Sequence, residues 1–286
     1  MAERLIVRLA IDYMVRWARR MADHHEGDLL QALAYATAFQ TATDHLDGGA
    51  APGRSDAISI YALALALGQS RETVRRKVKR LVAAGWLVET PSGVRASAAE
   101  LETPRGRRLA TDAAELTRDL LAGLAELGLP ANGAAASGAP VDARARLVRA
   151  SNACALRLIA LMARNTEGDV LRPVLFAAIA IANTRHLPRD PASGFARFID
   201  PLPDSERRPV TALALSRELG LPRETTRRYL AKIESLDGCR RVPGGYISNE
   251  AFFFTPESRA VAAQILANAR RIAATLPVSV LALAEQ

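Results

Sequence analysis

Two short segments of the chain concentrate basic side chains beside hydroxyl groups. Between Ser70 and Arg80, six Lys or Arg side chains oppose one Glu, a balance of +5, and between Pro222 and Lys232 four oppose one, a balance of +3. The two balances together equal the net charge of the chain, +8. Guanidinium groups at this density can neutralise phosphates and donate paired hydrogen bonds to a guanine edge. The residue types therefore favour binding of a polyanion.

The elements that must position the first segment can be predicted from local signals. Ser59 is suited to cap a helix that ends at Gly68, since glycine permits the left-handed residue of a sharp turn. Ser70 then caps a second helix, which carries the basic residues on its outer face. Apolar segments at 86–90 and 94–96, separated by Pro-Ser-Gly, predict a β-hairpin. The stripe predicted to be buried on the second helix is Val74, Val78 and Leu81.

The chain contains an internal repeat. Residues 58–76 align without a gap on residues 210–228, and residues 27–30 resemble residues 168–171. The second copy therefore predicts the same helix, turn, helix and hairpin. In the second copy the cap is predicted at Thr211 and the turn at Gly220, with Pro222 just before the second helix. The stripe predicted to be buried is Thr226, Leu230 and Ile233.

The predicted fold is mainly α-helical with small β-wings, an internally duplicated winged helix-turn-helix with accompanying helices. Low aromatic and high alanine content agree with a helical class. Two opening helices precede each copy, at about residues 3–21 and 28–46 and at about 142–164 and 169–186. The predicted domains are 1–128 and 141–286, joined by a linker at 129–140.

The motif Ser70-Arg71-Glu72-Thr73-Val74-Arg75-Arg76, followed by Leu81 and Gly85-Trp86-Leu87-Val88, resembles the recognition helix and first wing strand of bacterial winged helix-turn-helix regulators. The cyclic-AMP-receptor and gluconate-repressor families are the closest comparison, over about 40 residues in each half. The second copy departs at Pro222, which lacks the hydroxyl of Ser70. The opening helices resemble no such family.

The resemblance implies roles for individual side chains. In the first half, Arg71, Thr73 and Arg75 would face the major groove, Ser70, Arg76 and Lys79 the phosphates, and Arg95 would lie on the wing, with Arg80 on the same basic face. In the second half, the groove-facing residues would be Arg223, Thr225 and Arg227, followed by Arg228 and Lys232 on phosphates and Arg240 and Arg241 on the wing.

These features predict a sequence-specific regulator of transcription that binds double-stranded DNA through both units as a pseudo-dimer. Recognition helices on one face of the duplex would lie about 34–36 Å apart, one turn of DNA. Two alternatives stay open. A winged-helix interaction scaffold would not need the basic face, and a plasmid-type replication initiator would bind repeated origin sites.

The first opening helix is apolar over a wide face, which predicts burial against the other half or a second chain and allows a homodimer through the opening helices. Whether a small-molecule effector binds is not indicated. The sequence predicts a cytoplasmic, nucleoid-associated protein, because Cys154 and Cys239 form no disulfide framework and no apolar run is long enough for a membrane helix.

No catalytic or metal-binding pattern is recognisable. No Ser-His-Asp or Cys-His arrangement stands out, and no glycine-rich phosphate loop follows a strand. We therefore expect neither enzymatic activity nor a cofactor. His24, His25, Glu26 and Asp28 resemble a metal cluster, but their spacing favours a solvated helix end.

Overall fold

The computed structural model describes residues 2–47, 56–130, 140–164, 168–197 and 200–275. Within these ranges the chain is mostly helical, with two small antiparallel sheets of two strands each. This agrees with the prediction of a mainly α-helical chain with small β-hairpins. No described helix combines the length and hydropathy that a membrane span requires.

The same order of elements occurs twice along the described chain. The first series is α1 (Glu3–His24), α2 (Leu29–Ala42), α3 (Ile60–Leu67), α4 (Arg71–Ala83), β1 (Leu87–Thr90), β2 (Gly93–Ala96) and α5 (Pro104–Glu126). The second is α6 (Pro140–Ala163), α7 (Leu171–Thr184), α8 (Ala212–Leu219), α9 (Arg223–Ser235), β3 (Cys239–Val242), β4 (Gly245–Ser248) and α10 (Pro256–Thr275). Most of the predicted linker, residues 131–139, lies outside the described residues.

Helix α1 lies at the centre of the molecule. It packs against α2 and α5 of its own series and against α6, α7 and α10 of the second. Trp17 donates from Nε1 to Asn152 Oδ1 on α6 at 3.2 Å, and the Tyr13 hydroxyl lies 2.9 Å from Ser151 Oγ. The wide apolar face of α1 is therefore covered within the chain, and one buried core continues from the first half into the second.

Two glycines make the sharp turns that precede α4 and α9. Gly68 and Gly220 have φ of 59° and 62°, the left-handed region that glycine adopts without steric strain. Ser59 and Thr211 cap the preceding helices α3 and α8, and each hydroxyl accepts a backbone N–H at 3.1 Å. The caps and turns predicted from the sequence are confirmed at these four positions.

Each of these turns packs against the other half of the chain. A Cβ on Gly68 would overlap the carbonyl group of Gly168, and a Cβ on Gly220 would overlap that of Gly27. Gly27 and Gly168 are themselves equivalent positions of the repeat. The contacts are thus reciprocal, as expected for two similar units related by an approximate two-fold axis.

Backbone bridges close to the turn join each hairpin to the rest of its unit. Leu87 pairs with Ala96 across β1 and β2, and Cys239 pairs with Ser248 across β3 and β4. Isolated backbone bridges join each hairpin to the segment before α3 or α8, through Ile58 with Val94 and through Val210 with Tyr246. Each hairpin is therefore held at a defined angle to the helix pair that precedes it.

The two cysteines are buried and free. Cys154 lies on α6 and Cys239 at the start of β3. Burial raises the pKa of both thiols to about 12. Neither side chain is therefore a thiolate near neutral pH, and both act as small core residues.

Candidate nucleic-acid interface

Helix α4 presents a basic face because its apolar residues are turned inward. Val74, Val78 and Leu81 are buried, as the sequence predicted. Ser70 caps the helix, where its Oγ accepts the Thr73 N–H at 3.2 Å and lies 2.8 Å from the Thr73 hydroxyl. The remaining outer face carries the exposed side chains of Arg71, Arg76, Lys79 and Arg80.

Helix α9 repeats this arrangement with one difference at its start. Pro222 occupies the capping position and offers no side-chain hydrogen bond. Thr226, Leu230 and Ile233 are buried, as predicted, and so is Tyr229, whose burial was not predicted from the sequence. The exposed basic residues are Arg223, Arg227, Arg228 and Lys232.

One arginine on each helix is held by a carboxylate one turn earlier. Arg75 donates from Nε and Nη2 to both oxygens of Glu72, each at 2.8 Å. Arg227 donates in the same way to Glu224, at 3.0 and 2.7 Å. The hydrogen bond from Arg75 lowers the pKa of Glu72, and that from Arg227 lowers the pKa of Glu224. Both pairs are fully exposed, so they orient the guanidinium groups without adding appreciable stability.

Residues of α4 and α9 line a common cavity of about 270 Å³. The basic side chains on its wall are Arg76, Lys77 and Arg80 from α4 and Arg228 from α9. Asp28 is the one carboxylate of the described lining, and it pairs with Lys77. Three guanidinium groups from two helices thus surround one concave surface, which favours an anion there.

The cavity brings some of the predicted site residues together and leaves others outside. It collects Thr73, Arg76, Arg80, Thr225 and Arg228. The predicted residues that lie on the same helices or on the hairpins but not on the cavity wall are Ser70, Arg71, Arg75, Lys79, Arg95, Arg223, Arg227, Lys232, Arg240 and Arg241.

The two basic helices are close neighbours. Gln69, which precedes α4, donates from Nε2 to the hydroxyl of Tyr229 in the middle of α9 at 3.4 Å. It also donates to Asp169 Oδ1 at 3.2 Å. A spacing of about 34–36 Å, one DNA turn, is therefore wrong for this structure. The sequence could not indicate the actual distance between the two helices, because that distance depends on how the two halves pack.

The hairpin arginines are placed beside acidic partners. Arg95 on β2 lies 3.4 Å from Asp56 Oδ2. Arg240 on β3 pairs with Asp204 of the segment before α8. Arg241 is exposed, and its backbone N–H donates to Glu234 at 3.2 Å. Arg95 and Arg240 would have to exchange these partners to contact another anion.

Lys77 and Tyr229, which were not predicted as site residues, occupy equivalent positions of α4 and α9, and Lys77 lines the cavity. Lys77 is turned inward to Asp28, which also caps α2. Tyr229 stands at the equivalent position of α9, next to Asp169, the equivalent of Asp28. The repeat makes position 77 equivalent to 229 and position 28 equivalent to 169, but only the folded chain shows the contact within each pair.

The histidine cluster at the end of α1 is not the solvated helix end that its spacing favoured. His25 is buried, with its ring centroid 4.8 Å from that of Tyr35 and 4.6 Å from that of Trp86. Burial lowers its pKa to about 3, so the imidazole is neutral. His24 contacts Asp112 at 2.7 Å. In the part of the chain that the structure describes, no three His, Cys, Asp or Glu side chains are grouped as metal ligands would be.

The chain matches no protein-family model, and neither a curated protein nor a solved structure is significantly similar to it.

Proposed function

We propose that this protein is a sequence-specific regulator of transcription that binds double-stranded DNA through two winged helix-turn-helix units. Each unit consists of a helix pair joined by a glycine turn and followed by a hairpin, with α4 and α9 as the recognition helices. The observation that carries the proposal is the shared cavity, where Arg76, Arg80 and Arg228 converge. A solvated basic face would not require two helices to direct positive charge at one point.

The arrangement supports a pseudo-dimer within one chain. The reciprocal packing of Gly68 on Gly168 and of Gly220 on Gly27 fixes the two units relative to each other. A rigid pair of recognition helices binds DNA without the entropy cost of ordering two free domains. Whether two chains also associate through the opening helices stays a prediction, and α1 is already covered within one chain.

The close approach of the helices indicates a compact site. Both helices would enter neighbouring parts of one groove, with half-sites closer together than one DNA turn. Arg76, Arg80 and Arg228 would contact the phosphates between the half-sites, and the wing arginines Arg95 and Arg241 would contact the flanking backbone. Base edges would be read by the residues at the start of each helix, namely Arg71, Thr73 and Arg75, and Arg223, Thr225 and Arg227.

A protein-interaction scaffold is the second candidate, and one observation favours it. Tyr61 and Leu65, one turn apart on α3, are 68% and 73% exposed. Large apolar side chains exposed together are typical of protein contacts. This surface lies on the first helix of the unit rather than on α4, so a protein contact there is compatible with DNA binding.

Selection of binding sites from a random pool of DNA duplexes, with the full chain, tests the proposal. We expect enrichment of a short, imperfectly repeated sequence, because α4 and α9 differ at exposed positions. Multiple repeats of one site would instead support a replication initiator. Failure to enrich any sequence would contradict sequence-specific binding.

Fluorescence anisotropy with the selected duplex then tests the cavity. Each phosphate contact contributes about 0.9 to the slope of log affinity against log salt. The double variant Arg76→Gln/Arg228→Gln should therefore bind more weakly and lower the slope by about 2. Arg16→Gln is the matched control, because Arg16 pairs with Asp119 away from the cavity. An unchanged slope in the double variant, or binding that does not depend on salt, would favour the scaffold.

A further inference from the structure

The second half contains an apolar cavity that the proposed DNA-binding surface does not use. It encloses about 440 Å³, within the range of about 300–1,000 Å³ typical of small-molecule sites. Its walls come from α1, α7, the end of α9, the segment after β4, and α10. Leu236, which is 53% exposed, lies at the edge where the cavity meets solvent. Apolar wall residues include Val7, Ile11, Phe176, Ile181, Phe253 and Ile265.

The internal repeat explains why this space is open. In the first half the corresponding region is filled by aromatic rings: Trp86 lies 5.0 Å from Tyr35, and Tyr35 lies 5.8 Å from Phe39, between ring centroids. Trp86 is 3% exposed and Phe39 is 1% exposed. The first half therefore has a packed core where the second half has a cavity.

Two substitutions between the halves remove aromatic rings from this region. The alignment of 58–76 on 210–228 continues to place Trp86 on Gly238, and the alignment of 27–30 on 168–171 continues to place Phe39 on Ala180. Gly238 and Ala180 both line the cavity. Phe176 is the sequence counterpart of Tyr35, and the rings of Phe252 and Phe253 lie 5.2 and 5.3 Å from it, but the rings of Trp86 and Phe39 have no counterpart.

The cavity also has a positively charged end. Three guanidinium groups, of Arg4, Arg8 and Arg172, and two carboxylates, of Glu250 and Glu257, lie on its wall. Arg4 and Glu250 form a buried ion pair at 2.7 Å, so they largely satisfy each other. Counted by formal charge, the five groups on the wall sum to +1.

Arg8 lies on the wall of this cavity and also on that of a smaller cavity, which it shares with Asp12 and Arg189. Its Nη2 donates to the backbone carbonyl of Leu187 at 3.0 Å, and its guanidinium lies 5.3 Å from the centroid of the Phe195 ring. Its Nη1 is buried and has no hydrogen-bond partner in the described part of the chain. Burial lowers the pKa of Arg8, and the guanidinium nevertheless stays charged near neutral pH.

We propose that this cavity binds a small amphipathic anion, with an apolar ring or chain against Phe176 and Phe253 and a carboxylate on Arg8. An uncharged apolar molecule would leave the positive charge of the wall without a counter-charge. A cation would face a net positive wall. The ligand would connect the two halves, since Arg8 belongs to α1 and most of the apolar wall belongs to the second half.

The position of the cavity couples such a ligand to α9. Ile233 and Leu236 lie at the end of that helix, and Gly238 immediately precedes β3. A ligand that contacts all three restricts the angle between α9 and its hairpin. The regulatory part of the inference rests on the proposed function, because it treats α9 as a recognition helix. Ligand binding itself does not.

Two fluorescent probes with the same ring system test the site. Anilinonaphthalene sulfonate is an amphipathic anion, and phenylnaphthylamine lacks its charge. We expect saturable binding of one sulfonate probe per chain, about tenfold tighter than the neutral probe because a charge-assisted hydrogen bond is gained. In Arg8→Gln this preference should disappear. Equal affinity of the two probes for the wild-type protein, or no saturable binding of the anion, would overturn the proposal.

Variants that restore the rings of the first half show where the probe binds. Ala180→Phe and Gly238→Trp should each reduce binding at least tenfold, since they fill the space as Phe39 and Trp86 do. A Cβ on Gly238 would lie 2.9 Å from Ile233 Cγ2, so the tryptophan requires a small shift, and Ala180→Phe is the primary variant. Ala122→Phe, on the exposed face of α5, is the matched control. If Ala180→Phe still unfolds cooperatively and binds the sulfonate probe as tightly as the wild-type protein does, the probe does not bind in this cavity and the proposal is wrong.

A separate titration tests the coupling. With the sulfonate probe saturating, we expect the Kd for the selected duplex to change at least fivefold, the lower end of typical allosteric coupling. Ala180→Phe should abolish this change. If the probe binds but the affinity for DNA does not change, the proposed coupling is wrong and the ligand site itself is unaffected. Absence of DNA binding would contradict the proposed function, and the two-probe comparison would then still decide whether the ligand site exists.

Discussion

Gly68 lies against the backbone of Gly168, and this contact joins the turn before α4 to the other half of the chain. Beside it, the Val170 N–H donates to the Leu67 carbonyl at 3.5 Å, a backbone hydrogen bond between halves. Gly220 makes the reciprocal contact with Gly27. The relative position of the two basic helices therefore depends on residues that have no side chain.

Replacing Gly68 with alanine should destabilise the protein more than the left-handed backbone alone requires. A left-handed non-glycine residue costs about 1–2 kcal/mol, and here the new methyl group would also overlap the Gly168 carbonyl. We expect Gly68→Ala to lower the free energy of unfolding in urea by more than about 2 kcal/mol. Gly128→Ala is the control, because Gly128 has φ of 85° and a methyl group added there would meet no atom within 4 Å. Equal losses in the two variants would contradict the close contact.

Arg71 and Arg223 occupy equivalent first positions of α4 and α9. If each reads a base, Arg71→Ala or Arg223→Ala should weaken binding of the selected duplex by about 1–3 kcal/mol and have a smaller effect on a scrambled duplex. Lys79→Ala should weaken binding to both duplexes alike, because a phosphate contact carries no sequence information. Anisotropy titrations of the three variants at one salt concentration separate these outcomes. Unchanged affinity in both arginine variants would show that neither arginine contacts the DNA.

If α4 binds DNA as proposed, the carboxylate of Glu72 competes with the DNA for Arg75. Glu72→Gln should release the guanidinium and remove a negative charge from the outer face of α4, so we expect tighter binding, with a larger gain for the selected duplex than for a scrambled one, because Arg75 is proposed to contact a base. Glu224→Gln should act in the same way on Arg227. Glu126→Gln, at the end of α5, controls for net charge. Weaker binding in Glu72→Gln would instead indicate that the carboxylate itself contacts a base.

His25 makes stability depend on pH. Burial depresses its folded-state pKa to about 3, while an unfolded histidine titrates near 6.5. The unfolded chain thus binds a proton that the folded chain excludes. The stabilisation is complete above pH 6.5 and is lost as the pH falls, by about 1.4 kcal/mol for each unit below that value.

His25→Phe should remove this dependence while keeping an aromatic ring between Tyr35 and Trp86. Urea unfolding of both proteins between pH 8 and pH 5 measures it. The wild-type protein should lose about 2 kcal/mol more than the variant over this range. Parallel stability curves would show that the imidazole is accessible to solvent.

The local parts of the interface could be predicted from the sequence, because they depend on residues a few positions apart. The caps at Ser59 and Ser70, the turn at Gly68 and the buried stripe from Val74 to Leu81 all follow from helical periodicity and backbone preference. The repeat extended the same prediction to the second half. The pairing of Arg75 with Glu72 could also be predicted from the sequence, since residues three apart share a helix face.

Only the tertiary structure decided how the two halves meet. The sequence contains Gly27, Gly68, Gly168 and Gly220, but no local rule states that each turn packs on the opposite half. The same holds for the shared cavity of α4 and α9, whose walls come from both halves. Helix spacing is set by these long-range contacts, so a spacing of one DNA turn could not be tested from the sequence.

The ligand cavity has the same origin. Residues 180 and 238 lie far apart along the chain. Each lacks the ring of its counterpart in the first half, but the sequence does not show that the two positions line one cavity. The sequence by itself determined that Trp86 and Phe39 have small counterparts in the second half. The fold decided that the missing volume forms one space, beside Arg8 and the end of α9.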